Sequence, residues 1–162
     1  MKSRHFEDKR TVLLFALNIF WMIVIFVFSS QPAQESSHVS GFFREFIDKL
    51  AGILFKGTVP GIFADNRQLI EHLVRKLGHV TEYMILGILT CALLRRLTPR
   101  KAVLIALAVC ILYASSDEFH QIFVSGRGPA ITDVLLDSAA SAIGICIIKF
   151  SWFSRAGRKE SH

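Results

Sequence analysis

Four long apolar runs divide this chain, and each carries its polar and charged residues at an end that alternates from run to run. The first, Thr11 to Phe28, holds 18 residues without a charge and ends in Ser29, Ser30 and Gln31. The second, 78–94, follows Arg75 and Lys76 and opens with His79 and Glu82. The third, 102–123, closes with Asp117, Glu118, His120 and Gln121. The fourth, 130–150, follows Arg127 and opens with Asp133 and Asp137. Runs of ~17–25 apolar residues suffice to span a bilayer as helices. Threaded back and forth, the four spans bring every one of these polar ends to one membrane face. A charge near the middle of a membrane helix costs ~2.5–3.5 kcal/mol, so such a gathering reads as a functional site before it reads as anything else.

The rest of the composition agrees. Hydrophobic residues make up 52% of the 162, and Phe alone occurs 14 times. The net charge of +6 flanks the apolar runs and so reads as topology signal, not as a nucleic-acid surface. Lys2, Arg4, Lys9 and Arg10 precede the first run, Arg95, Arg96, Arg100 and Lys101 join the second to the third, and Lys149, Arg155, Arg158 and Lys159 follow the fourth. The turn between the third and fourth has only Arg127. Positive residues stay inside. Both termini and the 95–101 loop are therefore expected in the cytoplasm, with the polar cluster facing outward. The first run exceeds the ~7–15-residue core of a cleavable signal and is read as a span. Cys91, Cys110 and Cys146 sit apart inside apolar runs and read as packing residues.

Between the first two spans the pattern changes. Residues 29–41 read as a loop. Phe42, Phe43, Phe46, Ile47, Leu50, Ile53 and Leu54 then recur at helical spacing, as in a helix lying in the interface plane. A second amphipathic turn, with Leu69, Ile70, Leu73, Val74 and Leu77 on one face, is expected to start at a cap on Asp65 or Asn66. Gly126 to Pro129 forms a tight turn, with Pro129 suited to the first turn of the next helix. Ser138, Ala139, Ala140, Ser141, Ala142 and Gly144 make the fourth span rich in small residues, which let membrane helices approach closely, so it is expected at the centre. Residues 151–162 read as a basic tail. The whole is an all-α, polytopic four-span bundle in one domain, with one or two interfacial helices between spans one and two.

Helical spacing also sorts the polar residues by face. His79, Glu82, Tyr83, Leu86 and Thr90 share one face of the second span. Asp117, His120 and Gln121 share one on the third, with Glu118 beside them. Asp133, Asp137 and Ser141 stack on the fourth. Arg127 is the obvious counter-ion, because a guanidinium suits a carboxylate in partial burial. Three chemistries fit. His79, Glu82, Glu118 and His120 are of the types that bind a divalent metal. His79, Glu82, Glu118 and Asp133 are candidate general acids and bases acting on a lipid-linked or cell-wall substrate. Ser29, Ser30, Ser115 and Ser116 are candidate nucleophiles, with nothing to single one out. Arg75, Lys76 and Arg127, with Asp117, His120, Gln121, Asp137, Ser30 and Gln31, make a binding site for an anionic amphiphile that need not catalyse anything. The competing reading is structural: interhelical hydrogen bonds hold the bundle, with Asp133 and Asp137 paired to Arg127 and His79. A transporter would need polar groups near the midplane, where only Asn18, Thr90 and Ser141 qualify. His5, His38, His72 and His162 read as solvated surface groups.

Several of these segments together resemble the VanZ-like family: Arg75-Lys76-x-x-His79-x-x-Glu82-Tyr83, then Tyr113-Ala-x-Ser-Asp117-Glu118-Phe-His120-Gln121-x-Phe-Val-x-Gly126-Arg127, then Asp133-Val134-x-x-Asp137, with Phe28-Ser29-Ser30-Gln31-Pro32 after the first span. The resemblance runs over most of the chain with its motifs in order. It implies a small integral protein of the bacterial cytoplasmic membrane. It also implies functional weight at His79, Glu82, Asp117, Glu118, Gln121, Arg127 and Asp133. The family takes its name from a protein linked to low-level resistance to the glycopeptide teicoplanin. By that resemblance the partners are membrane lipids and a lipid-linked cell-wall precursor or a glycopeptide. Arg75, Asp137 and Ala140 depart from the name-giving branch, so the chain resembles a sister branch.

Overall fold

The computed structural model describes residues 9–32 and 67–157. Four helices account for nearly all of them: α1 (Lys9–Ser29), α2 (Arg67–Leu97), α3 (Ala102–Gln121) and α4 (Ile131–Gly157). Each contains a stretch long and apolar enough to cross a membrane. Large apolar side chains face outward along them, among them Phe20 on α1, Leu104 and Leu112 on α3 and Ile131 and Phe150 on α4. In water that surface would drive aggregation, whereas in lipid it is the appropriate exterior. The chain is a multi-pass membrane protein with an all-helical bundle.

Local chemistry sets most of the ends. Pro99 forbids helix at Thr98, so α2 stops at Leu97 and a turn closed by Lys101 N–H to Thr98 C=O (3.1 Å) leads into α3. Short turns follow α3, and Gly126 adopts φ 76°, a left-handed conformation that glycine takes without strain. Asp133 N–H then bonds to Ala130 C=O (2.9 Å) as α4 begins. Pro129 stands just outside this helix and not in its first turn, because Ala130 takes the boundary position.

Three boundaries differ from the sequence expectation. The amphipathic stretch at 69–77 is no separate helix. It forms the first turns of α2, which runs unbroken through Gly78 because no proline or strained glycine intervenes. α3 ends at Gln121 and does not reach Phe123, since Ile122, Phe123 and Val124 already bond back into tighter turns. α4 continues to Gly157, so much of the segment read as a tail is helical. The helix expected over Phe42 to Leu54 and the cap at Asp65 or Asn66 lie outside the described residues.

α4 packs most extensively on α2, α3 packs on both, and α1 lies mainly against α2. The α2–α4 contact is backbone to backbone. A Cβ on Gly87 would clash with the Ser141 carbonyl, and one on Gly144 with the Met84 carbonyl. The small residues of the fourth span thus do what their composition implies. Ile25, Tyr83, Leu86, Cys110, Ala114 and Ala140 form the core beneath the polar end, and Cys91, Ala106 and Ile145 form a second layer farther down. Side chains also clamp neighbouring backbones: Trp21 Nε1–H donates to Glu82 C=O (2.9 Å) and Tyr113 O–H to Met22 C=O (2.6 Å). That first bond explains why a tryptophan stands mid-span on α1. At the opposite end Arg95 lies 4.1 Å over the Trp152 ring and Arg96 Nε–H donates to Thr11 Oγ1 (2.8 Å). One end of the bundle is basic and aromatic; the other gathers the carboxylates and histidines.

Candidate functional site

At that second end a cleft of about 250 Å³ opens between α2, the 122–130 turn and α4, with the end of α3 as its remaining wall. Antiparallel threading puts the N-terminal turns of α2 and α4 beside the C-terminal turns of α1 and α3. Arg75, Lys76 and His79 enter from α2, Glu118 and Gln121 from α3, Arg127 from the turn, and Asp133 and Asp137 from α4. Eight residues singled out by helical spacing thus share one cavity wall. His72, read as a solvated group, is exposed but stands at the cleft's edge. Leu136 lines the wall as well and carried no sequence signal.

Two of the carboxylates are held by protein donors. Lys76 Nζ sits 2.6 Å from Asp133 Oδ1, with both side chains about one-third exposed (33% and 31%). The pairing expected for Asp133 with Arg127 is thus taken by lysine, because α2 presents Lys76 directly opposite the first turn of α4. Ala130 N–H donates to Glu118 Oε2 (2.9 Å), so Glu118 anchors the start of α4 from the end of α3. Carboxylates favour that position at a helix N-terminus.

The deeper groups are less satisfied. His79 Nδ1 lies 4.0 Å from both Glu82 Oε2 and Asp137 Oδ2, beyond hydrogen-bond reach. Asp117 lies near Ser29, Gln121 and Tyr83, yet neither of its oxygens completes a well-formed hydrogen bond. Asp137 Oδ1, Tyr83 Oη, His79 Nδ1 and Arg127 Nε are likewise buried without a partner among the described residues. Asp117 is 3% exposed and Asp137 1%. Membrane proteins pair nearly all of their buried polar atoms, so orphans concentrated around one cleft mark it as built for something other than its own stability.

Arg127 stands outside the spans, at the mouth. Burial first, and then the like charge of Arg75, pull its guanidinium below the ordinary range, against the opposing pull of Asp117, Glu118 and Glu82. It takes part in none of the ion pairs among the described residues.

Other candidates fall elsewhere. Glu82 and Asp117 lie just beneath the cleft and do not line it. Gln121 donates Nε2–H to Ser29 Oγ (3.2 Å), which ties Ser29 to the bundle instead of leaving it as a nucleophile. Ser30 O–H donates to Phe26 C=O (2.6 Å), so His120 Nε2–H is the donor in its 3.1 Å contact with Ser30 Oγ. The His120 ring also stacks on Phe26, with centroids 4.6 Å apart. His120 and Ser30 therefore brace α3 against α1, away from His79. Ser115 and Ser116 are exposed and bond back to the carbonyls of Ile111 and Tyr113. Gln31 bonds back to Phe28 through its backbone N–H (3.3 Å) and lines no part of the cleft.

The metal set His79, Glu82, Glu118 and His120 does not assemble. His120 belongs to the α1 contact, Glu118 is committed to Ala130, and among the described residues no three His, Cys, Asp or Glu side chains converge to hold a metal ion. Helical periodicity reports which residues share a face of their own helix. It does not report which neighbouring helix that face meets, and His120 shows the difference.

A protein-family model described as VanZ/LLP1 matches residues 14–153, from the first helix to the last. Among curated proteins and among solved structures, none matches this chain.

Proposed function

We propose, from the premise that this chain belongs to the VanZ/LLP1 family, that it binds, and acts chemically on, the head group of a cell-envelope amphiphile in the bacterial cytoplasmic membrane. The observation that carries the reading is the cleft whose buried polar atoms lack partners while it opens beside lipid-facing apolar surface. A volume of about 250 Å³ is below the ~300–1,000 Å³ of pockets that enclose a whole small molecule. A head group fits it, with its chains lying in lipid along the exposed faces of Ile131, Leu135 and Phe123. A glycopeptide is too large to be enclosed. An effect on teicoplanin susceptibility would then run through the envelope precursors on which such antibiotics act.

The basic residues at the Arg95–Lys101 end place that end in the cytoplasm, so the cleft faces outward and both termini lie inside. His79, flanked by Glu82 and Asp137, is the group best placed for proton transfer, with Glu118 and Asp133 holding the walls. A purely structural cluster has one observation in its favour, namely that Lys76–Asp133 and Glu118–Ala130 are internally satisfied. The orphaned atoms below them weigh against it.

Two measurements test this. Ser125→Cys in intact cells should react with a membrane-impermeant maleimide; reaction only after the inner face is opened would reverse the orientation. Native mass spectrometry of protein released from its own membranes should find an amphiphile bound to the wild type and depleted in His79→Ala. Equal lipid occupancy in the two would remove the amphiphile from the reading.

A further inference from the structure

The chemistry of that head group is legible in how the charges at the mouth are already spent. We infer that the cleft holds a phosphate or diphosphate, gripped between Arg127 in the turn and Arg75 and Lys76 on α2. This rests on the amphiphile reading above and names the class of its ligand.

Among the acidic groups at the mouth, Glu118 already accepts from Ala130 N–H (2.9 Å) and Asp133 from Lys76 (2.6 Å). The amide end of α4 is thus occupied by the protein's own carboxylates and is no seat for a ligand anion. Deeper in, Asp137 and Asp117 are buried acids that repel an anion from the floor. The cations are arranged otherwise. Arg127 joins no ion pair among the described residues, and its Nε is buried without a partner. Arg75, on another element, lines the same cleft and is close enough to act on Arg127 as a like charge. Two guanidiniums directed at one cavity repel unless an anion lies between them. A carboxylate offers one two-oxygen edge and can satisfy one guanidinium fork. Two forks from different elements, with an ammonium beside them, call for a group with three or more oxygens and more than one charge, which is phosphate chemistry.

The source of the phosphate decides the test. Purified protein in nanodiscs is titrated with geranyl diphosphate, with geraniol and with inorganic pyrophosphate, and binding is read by microscale thermophoresis. Geranyl diphosphate should bind more tightly than either of the others. Arg127→Gln should weaken it roughly ten- to hundredfold, the loss of a charge-assisted group. Arg127→Lys should restore part of that loss, because charge returns without the fork. Where Arg127→Gln does not yield a monodisperse protein, Arg75→Gln and Arg127→Lys carry the comparison. Pyrophosphate binding as tightly as geranyl diphosphate, with both weakened in Arg127→Gln, would keep the phosphate site and overturn the amphiphile. Geraniol binding as tightly as geranyl diphosphate, unaffected by Arg127→Gln, would overturn the phosphate and keep the amphiphile. Binding of none of the three overturns the phosphate site.

Discussion

Halfway down the bundle, Asn18 Nδ2–H donates to Thr90 Oγ1 (2.9 Å), and Ser141 Oγ–H donates to Tyr83 C=O (3.1 Å). Both pairs are buried and both are closed. One helical turn or two above them, Asp117, Asp137, His79 and the Tyr83 hydroxyl are equally buried but leave atoms without partners. The same lipid environment surrounds both regions. Polar groups serving only as interhelical fasteners settle into one-to-one bonds, since nothing in hydrocarbon replaces a missing partner. Groups that must meet a ligand are held short of that satisfaction by the packing around them. The contrast separates the mid-bundle seam, which is structure, from the upper cluster, which is site.

The largest effect should come from the seam that fixes the frame for both regions. Gly144→Ala drives a methyl into the Met84 backbone and should lower stability by about 3 kcal/mol or more, seen as loss of the monodisperse fraction on heating in detergent. A variant as heat-resistant as wild type would mean that the α2–α4 contact does not set the cleft.

Asp137→Asn sharpens the contrast from the other side. It keeps the shape of the side chain while removing an uncompensated buried acid. Stability should stay within about 0.5 kcal/mol, because no hydrogen bond to its orphaned oxygen is lost, whereas amphiphile binding should fall roughly tenfold. A drop of about 3 kcal/mol in thermal stability would instead make Asp137 part of the fastening.

The Lys76–Asp133 pair lies between these extremes. With each side chain about one-third exposed (33% and 31%), a double-mutant cycle of Lys76→Gln and Asp133→Asn should give a coupling of about 0.5–1 kcal/mol, reduced by salt. A salt-independent coupling several times larger would show the pair to be sealed from water. The smallest effect belongs to Asn18→Leu with Thr90→Val, whose coupling should be about 0.6 kcal/mol, with ligand binding unchanged. A loss of binding in that pair would extend the site to mid-depth.

Much of this was written in the residues themselves. The apolar run lengths predict the four crossings, and the i, i+3, i+4 spacing predicts that His79, Asp117 and Asp133 reach the same level on three helices. Other features had no local signature. The turn at 69–77 looks like an independent amphipathic helix, because its polar face resembles an interface; only continuity with the span below makes it part of α2. Tyr83 and Ser29 are prominent beneath the site, yet a tyrosine and a serine in apolar context carry no distinguishing mark.

What the amino-acid order determined alone is depth: each span's period and the placement of its polar residues specify how far along the helix a side chain sits and which side it occupies. Tertiary packing decided partnership. Lys76 and not Arg127 meets Asp133, and His120 turns to Phe26 and Ser30 while His79 stays with Glu82 and Asp137. Those choices depend on how far each helix is rotated about its axis and how closely it approaches its neighbour. The backbone contacts of Gly87 and Gly144 set that geometry, which no single helix contains.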